Sequence, residues 1–287
     1  MKIISVAHSP DADDIFMYYA IKFGWVTPKD ARFENIADDI ESLNQATLKG
    51  QYDICAISFA LYPFVKDDYA LLKTAVSFGD GYGPKLIKKK GTVLKKNFKV
   101  ALSGEFTTNA LLFKIAYPNA RITYLNFLEI EEAVLNGTVD AGVLIHESIL
   151  TYNQELEVER EMWDIWVELS GGDLPLPLGG MCLRRSIPLN NAINYENTLI
   201  KAVDVANKNR KVLSKMLLEK GLIRVNAETL DKYLDLYAND DSVKMSEIQY
   251  KALDKLYELG YKNGFYENLV KSQDFLIPSE YEELRAR

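Results

Sequence analysis

Apolar residues along this chain gather into short β-branched runs, each closed by a polar turn and followed by an apolar stretch of helical length. Lys2 to Ala7 reads as a strand, Ser9-Pro10 with Asp11, Asp13 and Asp14 as a turn, and Ile15 to Phe23 as a helix. The same order returns from Phe98. Lys99 to Leu102 reads as a strand, Ser103 to Thr108 as a turn and Asn109 to Ala116 as a helix. Aligning Val6-Ala7-His8-Ser9 on Val100-Ala101-Leu102-Ser103 sets Asp13 and Asp14 opposite Thr107 and Thr108, so both pairs fall at a helix N-terminus.

The echo extends further. Leu48-Lys49-Gly50-Gln51-Tyr52-Asp53 before ICAIS resembles Leu135-Asn136-Gly137-Thr138-Val139-Asp140 before AGVLIH; each predicts a helix, a glycine stop and a buried strand. A third block sets Val76-Ser77-Phe78-Gly79-Asp80 against Leu169-Ser170-Gly171-Gly172-Asp173, each leading into another apolar strand, Pro84 to Lys88 and Gly179 to Arg184. Blocks recurring in one order predict an α/β protein of two lobes, each a mixed, mostly parallel sheet flanked by helices, with a ligand cleft between them. The expected division is 1–92 with 188–287 for the first lobe and 93–187 for the second. Beyond Asn191 the pattern is helical: Asn194 to Lys220 stopped by Gly221, Ala227 to Ala238, and Ser246 to Tyr261 with Ser246 as N-cap. These helices are expected to pack onto the first lobe.

Composition narrows the function classes. At 287 residues, 48% hydrophobic and 26% charged, the chain has ample material for real cores. A net charge of −7 disfavours a nucleic-acid partner, which needs a basic surface. The basic stretch Lys85 to Lys99 alternates and is broken by Gly91, so it reads as a solvated strand and crossover. No apolar run approaches the ~18 residues that span a bilayer. The opening segment is too short for a signal-peptide core, so a cytoplasmic location is expected and no membrane partner. Cys55 and Cys182 lie in apolar runs, where a thiol behaves as a small hydrophobe, and no disulfide is expected.

In open parallel sheets ligands bind beyond the carboxyl ends of the strands. Four positions then converge on the gap between the lobes: the turn before Ile15, Ser58 at the end of ICAIS, the turn with Thr107 and Thr108, and His146 at the end of AGVLIH. A helix N-terminus bearing threonine hydroxyls suits a carboxylate, although plain N-capping uses the same residues. The acidic first turn repels an anion. Its aspartates would rather cap the helix, the reading favoured for two of the three, accept ligand hydroxyls, or bind a cation, and with no Glu or His at ligand spacing a metal is not expected. Histidine titrates where a general base works, and His146 sits at a strand end facing the cleft. Glu147 would point to the opposite face of a continuing strand, so it is not cast as the partner that orients His146. There is no phosphate loop, GxSxG, HExxH or CxxC, so neither a nucleotide cofactor nor zinc is expected. Asp80-Gly81-Tyr82-Gly83-Pro84 reads as a flexible loop closing the cleft.

Ser9-Pro10-Asp11-Ala12-Asp13-Asp14-Ile15-Phe16, Ile57-Ser58, Gly81-Tyr82-Gly83-Pro84, Thr107-Thr108, Ile145-His146-Glu147 with Thr151-Tyr152, and Leu176-Pro177-Leu178-Gly179-Gly180 with Arg184-Arg185 together resemble the 1,4-dihydroxy-6-naphthoate synthase family. The resemblance implies the two-lobed periplasmic-binding-protein fold. It also implies a lyase of the futalosine route to menaquinone, which converts cyclic dehypoxanthine futalosine to 1,4-dihydroxy-6-naphthoate without a cofactor. By the same resemblance His146 is the proton acceptor, and Ala56, Ile57, Ser58, Thr107, Thr108 and Asp14 match substrate-contacting positions for a small carboxylate. The common family turn reads more like Ser-Pro-Cys-Pro-Asn-Asp-Thr-Phe; this chain departs from it at Asp11, Ala12, Asp13 and Ile15 and keeps Asp14. Two other readings remain at this stage: a chorismate dehydratase of the same route, and a binding protein that holds an acidic ligand without chemistry.

Overall fold

In the computed structural model, which describes residues 2–172 and 174–279, the first β-branched run forms β1 (Lys2–His8). It lies between and parallel to β2 (Ala31–Ala37) and β3 (Ile54–Ser58). Parallel neighbours need crossovers. Here these are α1 (Ala12–Lys22) and α2 (Ile40–Leu48). A short α3 (Tyr62–Val65), β4 (Tyr69–Leu71) and β5 (Ser77–Gly79) follow. The second sheet is built from β6 (Lys85–Lys89), β7 (Lys99–Leu102), β8 (Arg121–Tyr124), β9 (Ala141–Leu144) and β10 (Leu156–Glu161). Among these run α4 (Thr108–Ala116) and α5 (Ile130–Leu135), and α6 (Met162–Ser170) follows β10. Strand β11 (Leu176–Arg184) then returns to the first sheet, and α7 (Leu189–Lys208), α8 (Arg210–Glu219), α9 (Ala227–Tyr237) and α10 (Glu247–Lys262) follow it.

The strand orders are β2-β1-β3-β11-β4, with β5 also on β11, and β8-β7-β9-β6-β10. The two sheets therefore repeat one design. Three parallel strands, with β1 or β7 in the middle, are extended by an antiparallel strand laid against β3 or β9. That antiparallel strand comes from the other half of the chain each time. Strand β6 lies within the stretch 1–92 expected for the first lobe but pairs in the second sheet, and β11 lies within 93–187 but pairs in the first. Apolar pattern marks a segment as a strand and says nothing about which sheet edge receives it. In the third sequence block only Ser77–Gly79 is a strand; its counterpart closes α6 with Gly171 at φ 77°, and Asp173 lies outside the described residues.

Two lysines of the basic run are paired locally. On β6, Lys85 faces Glu161 at 3.5 Å, and Lys88 faces Glu159 at 2.5 Å and Glu157 at 3.6 Å, all on the antiparallel neighbour β10. Opposite charges are paired across these two strands. Cys55 and Cys182 are register partners on β3 and β11, and both are buried free thiols.

Helices α7, α8 and α9 pack against α1, as expected of the C-terminal region, while α10 runs along β11 and also meets α6. The single helix expected over Asn194–Lys220 is broken at Asn209. There the backbone leaves helical geometry (φ −114°, ψ 24°) and the side-chain amide donates to Val205 O at 2.9 Å. An asparagine bonding its own backbone in this way competes with helix propagation. Among the described residues no helix is long and apolar enough to cross a membrane.

Candidate active site

The carboxyl ends of β1, β3, β7 and β9 face one cavity. His146, Ala56, Ile57, Ser58, Thr107, Thr108 and Asp14 all line it. The structure thus brings the sequence-predicted positions together from both sheets. It adds Asp11, Asp13, Ser77, Asn109, Tyr233 and Tyr237, and places no lysine or arginine in the lining.

Strand β9 ends at Leu144, two residues before His146. Ile145 is still extended, and His146 then turns into the left-handed region at φ 55°, a conformation that costs an L side chain on the order of 1–3 kcal/mol and is kept where the surroundings impose it. The turn presents Nδ1 of His146 to the Asp11 carboxylate from the loop before α1. Nε2 is left buried with no hydrogen-bond partner among the described residues, in a side chain that lines the cavity. Phe127 closes one side of the imidazole edge-on, at 4.8 Å between centroids. Burial would lower the pKa of His146, but the charge and hydrogen bond of Asp11 outweigh it and hold the pKa above the ordinary value. Burial would raise Asp11; the His146 partner reverses that and holds its carboxyl below the usual range.

Because the strand has already ended, the alternation argument that turned Glu147 away from the site does not apply. Glu147 is buried beside His146, its Oε1 accepts from Ala12 N–H at the first turn of α1 (2.9 Å), and its Oε2 meets Arg224 at 3.4 Å. A carboxylate on the open N–H groups of a helix start is favourably placed. Arg224 in turn stacks over Phe127, 5.2 Å from its centroid.

The three aspartates do not cap α1 as expected. Asp11 occupies the N-cap position, yet its side chain makes no capping bond. Asp14 reaches back to Ser9 N–H at 2.8 Å, and Asp13 accepts from the Ser77 hydroxyl at 2.7 Å. For Asp11 and Asp13 a distant partner, His146 or Ser77, takes the place of the local cap. Oxygens of the three aspartates fall within 4.8 Å of one another, the one such acidic group among the described residues. Each carboxylate already accepts from a protein donor, and we assign no ion there.

On the opposite wall Thr107 is the N-cap of α4: its hydroxyl accepts from Ala110 N–H (3.2 Å) and donates to Gly104 O (3.0 Å). The Thr108 hydroxyl accepts from Ala60 N–H (3.3 Å) and donates to Leu178 O (3.0 Å), tying α4 to the first sheet. Both hydroxyl protons are therefore committed to carbonyls, contrary to their expected use as ligand donors. The groups left for an anion are the backbone N–H of Thr108 and Asn109, which have no intrahelical acceptor. Ser58 lies nearby, its hydroxyl accepting from the Asn44 amide (3.2 Å). Replacing Thr108 with valine is expected to lower stability by about 1–3 kcal/mol, since it strands two buried backbone groups; a urea midpoint falling at unchanged slope is the readout. The Gly81-Tyr82-Gly83-Pro84 segment is anchored, not loose: the Tyr82 hydroxyl donates to Leu236 O on α9, and its ring meets Tyr237 at 5.3 Å. His8 faces away from this cavity, its Nδ1 on Ser9 O at 2.7 Å.

Two mixed sheets of one repeated design, facing a cavity across their strand ends, define the periplasmic-binding-protein class of fold. The periplasmic aliphatic sulphonate-binding protein of Escherichia coli shares it, with a TM-score of 0.65 at 12% identity over 96% of this chain and 98% of that one. A crystal structure of a protein from Archaeoglobus fulgidus is nearer, with a TM-score of 0.85 at 33% identity over 91% of this chain and 98% of that one. The sequence is also 29% identical over 257 residues to the 1,4-dihydroxy-6-naphthoate synthase of Streptomyces coelicolor, covering 87% of this chain and 90% of the relative. The profile described as menaquinone biosynthesis matches residues 4–262, and the chain belongs to that family.

Proposed function

We propose that this chain is a 1,4-dihydroxy-6-naphthoate synthase: a cytoplasmic lyase that converts cyclic dehypoxanthine futalosine to the naphthoate without a cofactor. The observation that carries the reading is the imidazole of His146, which lines the cavity, its Nδ1 held by Asp11 and its Nε2 unpartnered among the described residues. A nitrogen so oriented is a general base awaiting a substrate proton. The ligand carboxylate sits at the N-terminus of α4, on the N–H groups of Thr108 and Asn109 with Ser58 beside them, and Ala56 and Ile57 flank the ring system. The sugar-derived part lies toward Asp14 and His146, and His146 takes the proton that starts its loss. Asp11 acts as the positioning residue. We read the molecule as two lobes that exchange β6 and β11 and close over this cavity, a movement that would exclude water from the reaction.

The test is incubation of the protein with cyclic dehypoxanthine futalosine, and separately with chorismate, followed by mass-resolved chromatography. Release of 1,4-dihydroxy-6-naphthoate from the first alone is expected. Dehydration of chorismate would move the chain to the neighbouring reaction of the route, and recovery of both compounds unchanged would leave a binding protein.

A further inference from the structure

We propose that Asp13 is held as a neutral acid and that its Oδ1–H donates a hydrogen bond to an oxygen of the bound substrate, as the acid facing the base His146. This rests on the reading of the cavity as a synthase site. Three observations carry it. The Ser77 hydroxyl donates to Oδ2 of Asp13 at 2.7 Å, so that oxygen is an acceptor. Oδ1 is buried and has no partner among the described residues, in a residue only 4% exposed that lines the cavity. A bare carboxylate oxygen in that setting would carry an uncompensated charge; a proton on Oδ1 removes the charge and makes the atom a donor aimed at the ligand.

The charge balance agrees. Asp11, Asp14, Glu147 and His146 surround Asp13, and Tyr82, Tyr233 and Tyr237 face it from the crossing segment and α9. The positive groups in this set are Arg224, paired with Glu147, and His146 once it is protonated against Asp11. That leaves Asp13 and Asp14 without a positive partner in a cavity that has to admit a carboxylate. Burial, then the adjacent Asp11 charge, pushes Asp13 up to about 8, and burial with Asp11 and Asp13 pushes Asp14 well up. Asp11, held below the usual range by His146, and Asp13 are thus driven to opposite protonation states, one the acceptor for Nδ1 of His146 and the other an acid.

Above about pH 8 Asp13 would lose its proton, so turnover is expected to decline on the alkaline side. The asparagine variant keeps a neutral donor and cannot ionise. Asp13→Asn should therefore retain kcat/KM within roughly tenfold and lose the alkaline decline, while Asp13→Ala should fall by roughly 10²–10³-fold. Independently of turnover, difference infrared spectra near neutral pH should contain a protonated-carboxyl band that is absent from Asp13→Asn and shifts when 1,4-dihydroxy-6-naphthoate is added. An asparagine variant as impaired as the alanine one, or one that keeps the wild-type alkaline limb, overturns the proposal. So does an infrared band unchanged by Asp13→Asn. If the alanine variant does not fold, the asparagine profile and the band decide. If wild type itself releases no naphthoate, the synthase reading fails, and the band alone decides whether Asp13 is a neutral donor.

Discussion

His146→Ala is expected to reduce naphthoate formation by roughly 10²–10⁴-fold, the range a positioned base contributes, with substrate affinity largely kept. In the proposed mechanism the imidazole is the base, and the N–H groups at the start of α4 assigned to the carboxylate are untouched by its loss. The substitution also leaves the buried Asp11 without the Nδ1 partner it has in His146, which destabilises the fold. His146→Asn, which keeps a polar partner for Asp11, separates the two effects. Both variants should bind 1,4-dihydroxy-6-naphthoate in a calorimetric titration while turning over little, and added imidazole should restore part of the alanine variant's activity. Full activity in either variant would remove His146 from the mechanism.

The second large effect is expected from Asp11→Asn. The carboxylate of Asp11 accepts from Nδ1 of His146 and so selects the tautomer with its lone pair on Nε2. An amide can donate to Nδ1 as readily as accept, and it carries no charge to stabilise the imidazolium that forms. A loss of roughly 10²–10⁴-fold in kcat is expected, by analogy with other carboxylate-oriented histidines, with little change in KM. The pH profile supplies the discriminating sign. Asp11 raises the pKa of His146 against a burial effect that lowers it. Without Asp11 the acidic limb of the profile should move to lower pH. A limb that stays in place would mean that Asp11 serves the fold and not the base.

What was legible in the sequence and what was not divides along physical lines. Periodicity and turn residues suffice to find β1 with α1, β7 with α4, and the two buried strands β3 and β9, because these are local choices. They also bring Ser58, Thr107, Thr108 and His146 to one cavity through the rule on strand ends. The exchange of β6 and β11 between sheets is decided by long-range pairing, to which the local pattern is blind. The same applies to Asp11. As a residue before a helix it looks like a cap, and only the positive φ of His146 turns the imidazole toward it. Glu147 is, as expected, not the partner that orients His146, although the strand ends before it and its carboxylate goes to Ala12 N–H and Arg224. The acidic turn did hold a signal: three aspartates within four residues are more than one helix start needs, and the surplus asks for partners elsewhere.

Asp11 hangs from the first sheet and His146 from the second, and the Ala12 to Glu147 bond joins the same two loops. On the proposed mechanism the proton-transferring unit is therefore an assembly, not a fixture of either half. With the sheets apart, His146 would be an ordinary imidazole in water, of ordinary basicity and free to rotate, and Asp11 would be an ordinary hydrated aspartate. Reactivity then becomes a property of timing. A molecule too small or misshapen to draw the halves together would meet no competent base, and selectivity would be exercised by whether the machinery comes into existence at all.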